Sequence, residues 1–232
     1  EISSLIEPLF ENFENPIVSM LAVSTVETIY MVFLSTIFSL LLGFPIGVLL
    51  VITKEDGIYE MKKFNAILGV IINALRSFPF IILMILLFPL SRFVVGSTIG
   101  ATAAVVPLSI GAAPFVARIV EGALLEVDYG LIEASQSMGA SNSTIIFKVM
   151  LPECYSTLVH GIIVTIISLI GYSAMAGTIG AGGLGDLAIR FGYLRFKLDI
   201  MIYAIIIIII LVQVIQSVGN YIVYRRQKKL GK

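Results

Sequence analysis

The chain is poor in the residues on which most enzyme chemistry depends. Its 232 residues contain one cysteine, Cys154, one histidine, His160, and no tryptophan. A lone cysteine can form neither an internal disulfide nor a cysteine-based metal site, and there is no second histidine for a metal centre or a catalytic pair. We therefore expect a chain with no cofactor, no metal site and no enzymatic activity of its own.

Charged residues are also scarce. They make up 13% of the chain, whereas soluble domains carry about 25%. Hydrophobic residues make up 58%, and the mean hydropathy is +1.04. A water-soluble fold could not place so much apolar surface, and no segment has the alternating pattern of a strand. The composition predicts an all-α integral membrane protein, and we expect no nucleic-acid partner.

A membrane-spanning helix needs roughly 20 mostly apolar residues, and five segments meet that requirement. They cover about 23–52, 64–90, 100–120, 155–176 and 198–224. A break near the end of the first span is predicted by Gly43, Pro45 and Gly47. In the alternative interpretation, this span is two re-entrant pieces. The spans form a permease domain, 23–224, between an extracellular-side amino-terminal segment, 1–22, and a basic tail, 225–232.

The positions of lysine and arginine indicate the orientation, because cytoplasmic loops of membrane proteins are enriched in both. Ten of these residues lie around the loops after the first and third spans and in the carboxyl-terminal tail, and four lie in the opposite loops. Residues 1–22 contain neither. We therefore predict a multi-pass protein of the cytoplasmic (inner) membrane with its amino terminus outside and its carboxyl terminus in the cytoplasm.

The cytoplasmic loop between the third and fourth spans, about 121–152, is predicted to form two short helices. Gly139 can take the left-handed conformation that ends the first helix, Ser141 can cap the second, and Pro152 precedes the next span. The apolar residues of the loop have no evident core of their own, so we expect a partner protein to cover them. They are Leu131, Ile132, Met138, Ile145, Ile146 and Val149. The alternative, a helix pair on lipid headgroups, fits poorly because the loop is not notably basic.

The same loop resembles the EAA loop of ABC importer membrane subunits, whose pattern is Glu-Ala-Ala, three residues, Gly, nine residues and Ile-x-Leu-Pro. The matching positions, with the full spacing, are Glu133, Ala134, Ser135, Gly139, Val149, Met150, Leu151 and Pro152. Ser135 and Val149 depart from the pattern but keep size and polarity close. The resemblance implies that the loop, including Ile145, forms a coupling helix that inserts into a separate ATP-hydrolysing subunit.

Further segments are similar to the methionine uptake family of these permeases. They are 75–83 (LRSFPFIIL), 106–108 (VPL), 111–115 (GAAPF) and 171–175 (GYSAM). The resemblance implies a MetI-like type I ABC importer fold with five spans, and import of methionine by alternating access. It also implies partners: two copies of an ATPase subunit, a second copy of this chain, and an external binding lipoprotein or periplasmic binding protein. It leaves L- and D-methionine undistinguished.

Two alternatives remain for the function. Betaine and phosphonate permeases carry similar glycine-rich loops, so a betaine-like quaternary amine or another small amino acid could be the solute. A self-contained secondary transporter is the alternative from a different class. It would call for coupling charges near the membrane centre or an internal repeat, and neither is evident in the sequence.

A glycine-rich run follows the fourth span at Gly180, Gly182, Gly183 and Gly185. A phosphate-binding fingerprint would need a strand before it and a helix opening behind it, whereas this run follows a membrane span on the outer side. We predict a flexible re-entrant turn that shapes the outer gate.

Small and weakly polar residues recur along the fourth span at intervals of three or four, which places them on one helical face. They are Gly161, Thr165, Ser168, Tyr172 and Met175. Such a face either borders the translocation path or packs against neighbouring helices, as small residues do in membranes.

Polar residues inside the spans have two possible placements. A charge at the bilayer centre costs about 2.5–3.5 kcal/mol, so we do not expect Arg76 to face lipid there. It could face an aqueous vestibule or a subunit interface. Alternatively, the second helix begins near Ser77 and the Arg76 side chain reaches the cytoplasmic surface. We expect Glu27 at the outer end of the first helix. Gln213 and Gln216 are predicted to form hydrogen bonds between helices.

Overall fold

The structure is a computed structural model that describes residues 16–229, together with Ile6 and Pro8. Within 16–229 all regular elements are helices. In chain order they are α1 (Pro16–Ile52), α2 (Lys62–Ser77), α3 (Phe80–Leu86), α4 (Phe88–Val95), α5 (Ala101–Leu125), α6 (Tyr129–Ser137), α7 (Asn142–Thr144), α8 (Leu151–Glu153), α9 (Tyr155–Gly177), α10 (Gly183–Leu187) and α11 (Leu198–Lys229). Two π-helical segments, Ile145–Met150 and Ala188–Tyr193, follow α7 and α10.

The first and last helices run beyond the segments predicted from hydropathy. Residues 16–22, assigned above to the amino-terminal segment, form the first turns of α1. Residues 225–229 of the basic tail continue α11. Apart from Ile6 and Pro8, the rest of the acidic amino-terminal segment lies outside the described residues, as do residues 230–232.

The break predicted in the first span is wrong, since α1 continues through Pro45 to Ile52. A proline removes one backbone donor, but helices in membranes tolerate this where neighbours surround them. Gly43 and Gly47 serve instead as contact points with α5. A Cβ at Gly43 would lie 2.5 Å from the Ala113 carbonyl oxygen, and one at Gly47 would lie 2.5 Å from that of Ala117. The two glycines therefore let the helix backbones approach closely.

The second span is the broken one. The axes of α2 and α3 differ by 101° at a break of two residues, Phe78 and Pro79. Phe78 is extended, with φ −69° and ψ 130°, because the residue before a proline is disfavoured in the helical region. Among the described residues, α1, α5, α9 and α11 are each long and apolar enough to cross a membrane, and the bent α2–α3 pair is a fifth candidate if it counts as one broken span rather than a re-entrant loop.

Helix α5 is the centre of the fold. In its most apolar stretch, 67% of the residues are buried, compared with 11% for α11. Helix α1 packs along α5, and α9, α2, α3 and α4 also contact it. One buried apolar cluster contains Met31, Leu108 and Leu169, and another contains Val120 and Ile145. The exposed surface of α11 is suited to lipid or to a second copy of the chain.

Candidate coupling loop and translocation path

The turn between the two loop helices has the geometry that the sequence predicts. Gly139 has a φ of +78°, and a Cβ at this position would meet no atom within 4 Å. The Ser141 Oγ accepts a hydrogen bond from the Thr144 backbone N at 3.3 Å. At the start of α6, an Asp128 carboxylate oxygen accepts from the Gly130 backbone N at 2.6 Å. The left-handed glycine and the serine cap are both confirmed.

The buried side of the loop corrects one expectation. Ile145 and Ile146 are 0% and 7% exposed, in a cluster with Val120, Leu124 and Met150. The loop therefore packs on the carboxyl-terminal end of α5 rather than relying on a partner to cover these residues. Ile145 supports the loop from inside and cannot itself contact an ATPase while it is buried.

The other motif positions divide between the surface and the interior. The exposed motif positions are Glu133, Ala134, Gly139 and Pro152. Docking on a partner requires such exposure. Ser135 is buried, and its Oγ donates to the Leu131 carbonyl oxygen at 2.7 Å. Val149 and Leu151 are half-buried. The small third residue of the motif thus bonds within its own helix.

The largest apolar side chains on the loop surface are Met138 and Phe147, which are 80% and 64% exposed. Phe147 was not predicted as a contact, because it falls within the nine unspecified positions of the motif. Two consecutive isoleucines followed by an aromatic residue could have signalled it, since a helix that buries the isoleucines turns the next residue outwards.

The glycine-rich turn after α9 is anchored to α1. Gly180, Gly182 and Gly183 have positive φ values of 94°, 81° and 80°. The Gly183 backbone N donates to Glu27 Oε2 at 2.7 Å, and the Leu184 backbone N donates to Thr28 Oγ1 at 2.9 Å. Backbone conformations that favour glycine are thus held by side chains of a distant helix.

One further contact fixes the same turn, and Glu27 is more deeply placed than expected. A Cβ at Gly185 would lie 2.5 Å from the Ala174 carbonyl oxygen, so α10 packs directly on α9. Glu27 is only 8% exposed and lies well inside α1, which begins at Pro16, not at the outer end of the helix. The flexible turn that we expected is instead closely packed. Its role at the outer gate stays a prediction.

The polar stripe on α9 has two different halves. In the amino-terminal half of α9, Gly161 lies against Ile119 so closely that a Cβ would clash. Thr165 is 1% exposed, and its hydroxyl donates to the Gly161 carbonyl oxygen at 2.8 Å. This half packs against α5, as small residues do between membrane helices.

The carboxyl-terminal half of the stripe is more open. Ser168 is half-buried, and Met175 is 48% exposed. The Tyr172 ring stacks on Phe80 with centroids 4.4 Å apart and planes 12° apart. Only these three stripe residues remain candidates for a path surface, and that role stays a prediction.

Arg76 lies at the bend between α2 and α3. One helix, α2, ends at Ser77 and the next, α3, begins at Phe80, so Arg76 lies in the last turn of α2, and its placement relative to the membrane stays a prediction. Arg76 is exposed and borders a cavity of about 240 Å³ whose walls include Phe80 and Tyr172. A second arginine, Arg118, was not singled out in the sequence.

Arg118 holds α2 to α5. Its Nη1 donates to Glu121 Oε2 at 2.6 Å, and its Nη2 donates to the Gly69 carbonyl oxygen at 3.1 Å and to Asn73 Oδ1 at 2.8 Å. The spacing of three between Arg118 and Glu121 signals a helical ion pair. The link to α2 has no signal in the sequence.

Cys154, His160 and the two glutamines of α11 have the following environments. Burial raises the pKa of the Cys154 thiol to about 11, so it stays protonated near neutral pH. The exposed His160 places Nδ1 2.9 Å from the Ser156 carbonyl oxygen. Gln213 and Gln216 are exposed on α11, so the hydrogen bonds predicted for them are not formed within the described part of this chain.

Comparison with known proteins identifies the family. A family model for the binding-protein-dependent transport system inner membrane component matches residues 43–229. The chain belongs to this family. The matched range includes the coupling loop and the glycine-rich turn, so this inner membrane component is a permease subunit whose helices cross the membrane several times.

Relatives of the permease extend the likeness over most of its length. A Vibrio cholerae protein described as a probable D-methionine transport system permease protein MetI is 48% identical over 206 residues, covering 89% of this chain and 92% of its own. The Bacillus subtilis methionine import system permease protein MetP is 46% identical, covering 92% and 97%. The resemblance to the methionine uptake family is therefore confirmed.

Solved structures confirm the fold. An inward-facing structure of the MetNI methionine ABC transporter has a chain that matches the permease with a TM-score of 0.89 and 44% identity, over 92% of this chain and 99% of that chain. An amino acid ABC transporter matches with a TM-score of 0.71 at 20% identity, which supports the fold alone. The permease thus has the expected MetI-like all-helical membrane fold.

Proposed function

We propose that this permease is the membrane-spanning subunit of an ATP-binding-cassette importer for methionine. The observation that carries the proposal is the 48% identity with a D-methionine permease over 89% of the chain. Because the Bacillus subtilis relative is described as a methionine import permease, both L- and D-methionine are candidate substrates. The sequence contains no GxxxxGK[ST] phosphate loop, so ATP hydrolysis is assigned to a separate subunit.

The proposed assembly has two copies of the permease and two copies of the ATPase. Five spans enclose too little space for a solute path, and pairing about a two-fold axis is the usual solution. The exposed Glu133, Met138 and Phe147 offer each ATPase a docking surface. An external binding protein, either a lipoprotein or a periplasmic protein, delivers the amino acid to the outer side.

The proposed cycle is alternating access. ATP binding draws the two ATPase subunits and their docked loops together and opens the path outwards, and hydrolysis resets it. The burial of Ile145 beside Val120 and Leu124 supports this coupling, because packed side chains transmit displacement from the loop to α5. The orientation has the amino terminus outside and the coupling loop in the cytoplasm, where ATP is available.

The test is uptake by the reconstituted complex. The permease is co-purified with its ATPase, placed in liposomes that contain ATP, and supplied with the binding protein and labelled L- or D-methionine. We expect uptake that needs both ATP and the binding protein. A complex whose ATPase cannot hydrolyse ATP is the control. If labelled betaine is taken up and methionine is not, the proposed substrate is wrong; uptake without any ATPase would instead favour a secondary transporter.

A further inference from the structure

We propose that Arg76 binds the carboxylate of the transported amino acid part-way along the translocation path, beside the aromatic pair formed by Phe80 and Tyr172. This inference rests on the proposed function and names a substrate site for it. It starts from the position of the guanidinium at the bend between α2 and α3, where the second span is broken.

The cavity next to Arg76 lies at the middle depth of the bundle. Its wall on α5 comes from Gly111 and Phe115, which are near the midpoint of the helix Ala101–Leu125. The volume of about 240 Å³ has room for several water-sized groups, since one water needs about 10–15 Å³ of such space. A small amino acid fits a space of this size.

Arg76 has a charge that the described chain leaves uncompensated. Within residues 16–229 the ion pairs involve Lys62, Arg118 and Arg190, and no carboxylate lies within 4 Å of Arg76. An unpaired guanidinium is unfavourable against lipid and is found facing a water-filled path or a partner group. It cannot lose its proton in a protein, so an anion is the ligand that best satisfies it.

The remaining cavity wall suits an apolar side chain. Phe80 packs on α5 at Gly111, where a Cβ would lie 3.2 Å from its ring, and Phe80 in turn stacks on Tyr172. Aromatic rings make favourable contacts with thioether sulfur. Guanidinium groups bind carboxylates through two parallel hydrogen bonds. Arg76 and the ring pair therefore match the carboxylate and the thioether end of methionine.

Substitution of Arg76 tests the site in the reconstituted complex with its ATPase and binding protein. Arg76→Gln should lower methionine uptake at least about tenfold, because hydrogen bonds to charged groups are the stronger ones. Arg76→Lys should retain part of the uptake, since lysine keeps the charge but lacks the two-pronged geometry. Arg92→Gln is the matched control, as Arg92 is an exposed arginine on the neighbouring α4, and it should transport normally.

A labelling experiment leaves Arg76 in place. Phe78 lines the same cavity, so Phe78→Cys should react with a small water-soluble thiol reagent, while the buried Cys154 reacts slowly. The complex contains a hydrolysis-deficient ATPase, receives methionine from the binding protein and is arrested by ATP. The labelled cysteines are then identified by mass spectrometry. Methionine should slow labelling at Phe78→Cys and leave a control cysteine in the loop between α1 and α2, Tyr59→Cys, unchanged.

The outcomes separate the site from the function. If the wild-type complex imports no methionine, the proposed function fails. If it imports methionine and Arg76→Gln does so at the same rate, the carboxylate site is wrong and the function stands. If Arg76→Gln does not assemble with the ATPase, the labelling decides, and equal labelling of Phe78→Cys with and without methionine overturns the site.

Discussion

Replacing Gly139 with valine should uncouple ATP hydrolysis from transport. A Cβ at this position meets nothing within 4 Å, so the cost comes from the backbone, which has a φ of +78°. Left-handed conformations cost L-residues roughly 1–2 kcal/mol, and a β-branched residue is among the least tolerant. That free energy corresponds to a factor of about 5–30 in the population of the native turn. We expect methionine taken up per ATP hydrolysed to fall by about fivefold or more if coupling requires this turn.

The assay compares uptake and ATP hydrolysis in the same liposomes. Gly139→Asn should keep most of the coupling, because asparagine also adopts the left-handed conformation at helix ends. Gly122→Val is the matched control, since Gly122 also has open space around it but lies in α5 with a helical backbone. Unchanged coupling in the assembled Gly139→Val complex would refute the role that we assign to this turn.

Three further predictions concern the anchor, the path and the docking surface. Glu27→Ala should lower the melting temperature of the purified permease by about 4–8 °C, because it removes a buried hydrogen bond worth about 2 kcal/mol. The control is Glu153→Ala, at an exposed position. Equal melting temperatures of the two variants would contradict the anchoring contact. Met175→Trp should block methionine uptake sterically in complexes that still assemble, whereas Met175→Ala should be mild; normal uptake by the tryptophan variant would assign this surface to helix packing. Glu133→Cys should crosslink to the ATPase with a short reagent, whereas Ile145→Cys, at a buried position, should not. Crosslinking of Ile145→Cys alone would argue against the proposed docking surface.

The loop between α5 and α9 was the part of the candidate site that could best be predicted from the sequence. Glycine at 139 and serine at 141 act through their own backbones and the next few residues, and such local effects can be predicted without a fold. The direction in which the loop packs could not be predicted. Ile145 looked like a partner contact because nothing in the sequence shows that α5 lies behind it.

The first two spans show the same limit at the level of helices. Gly43, Pro45 and Gly47 resembled a helix break, and Pro79 lies in what looked like one continuous span. Proline has the same local effect in both places, yet α1 stays straight enough to form one helix while the second span bends by 101°. Around Pro45, Gly43 and Gly47 pack directly against the backbone of α5, whereas Phe78, before Pro79, is exposed and extended.

By itself the sequence determined that the chain is a helical membrane protein with several apolar spans and a loop of two short helices, because hydropathy and helix-ending signals depend on neighbouring residues. Only the tertiary structure decided that Glu27 binds the backbone of Gly183, 156 positions along the chain, and that Arg76 borders a cavity with Tyr172. Contacts between distant residues depend on how helices pack, and helix packing is set by the whole bundle rather than by any one segment.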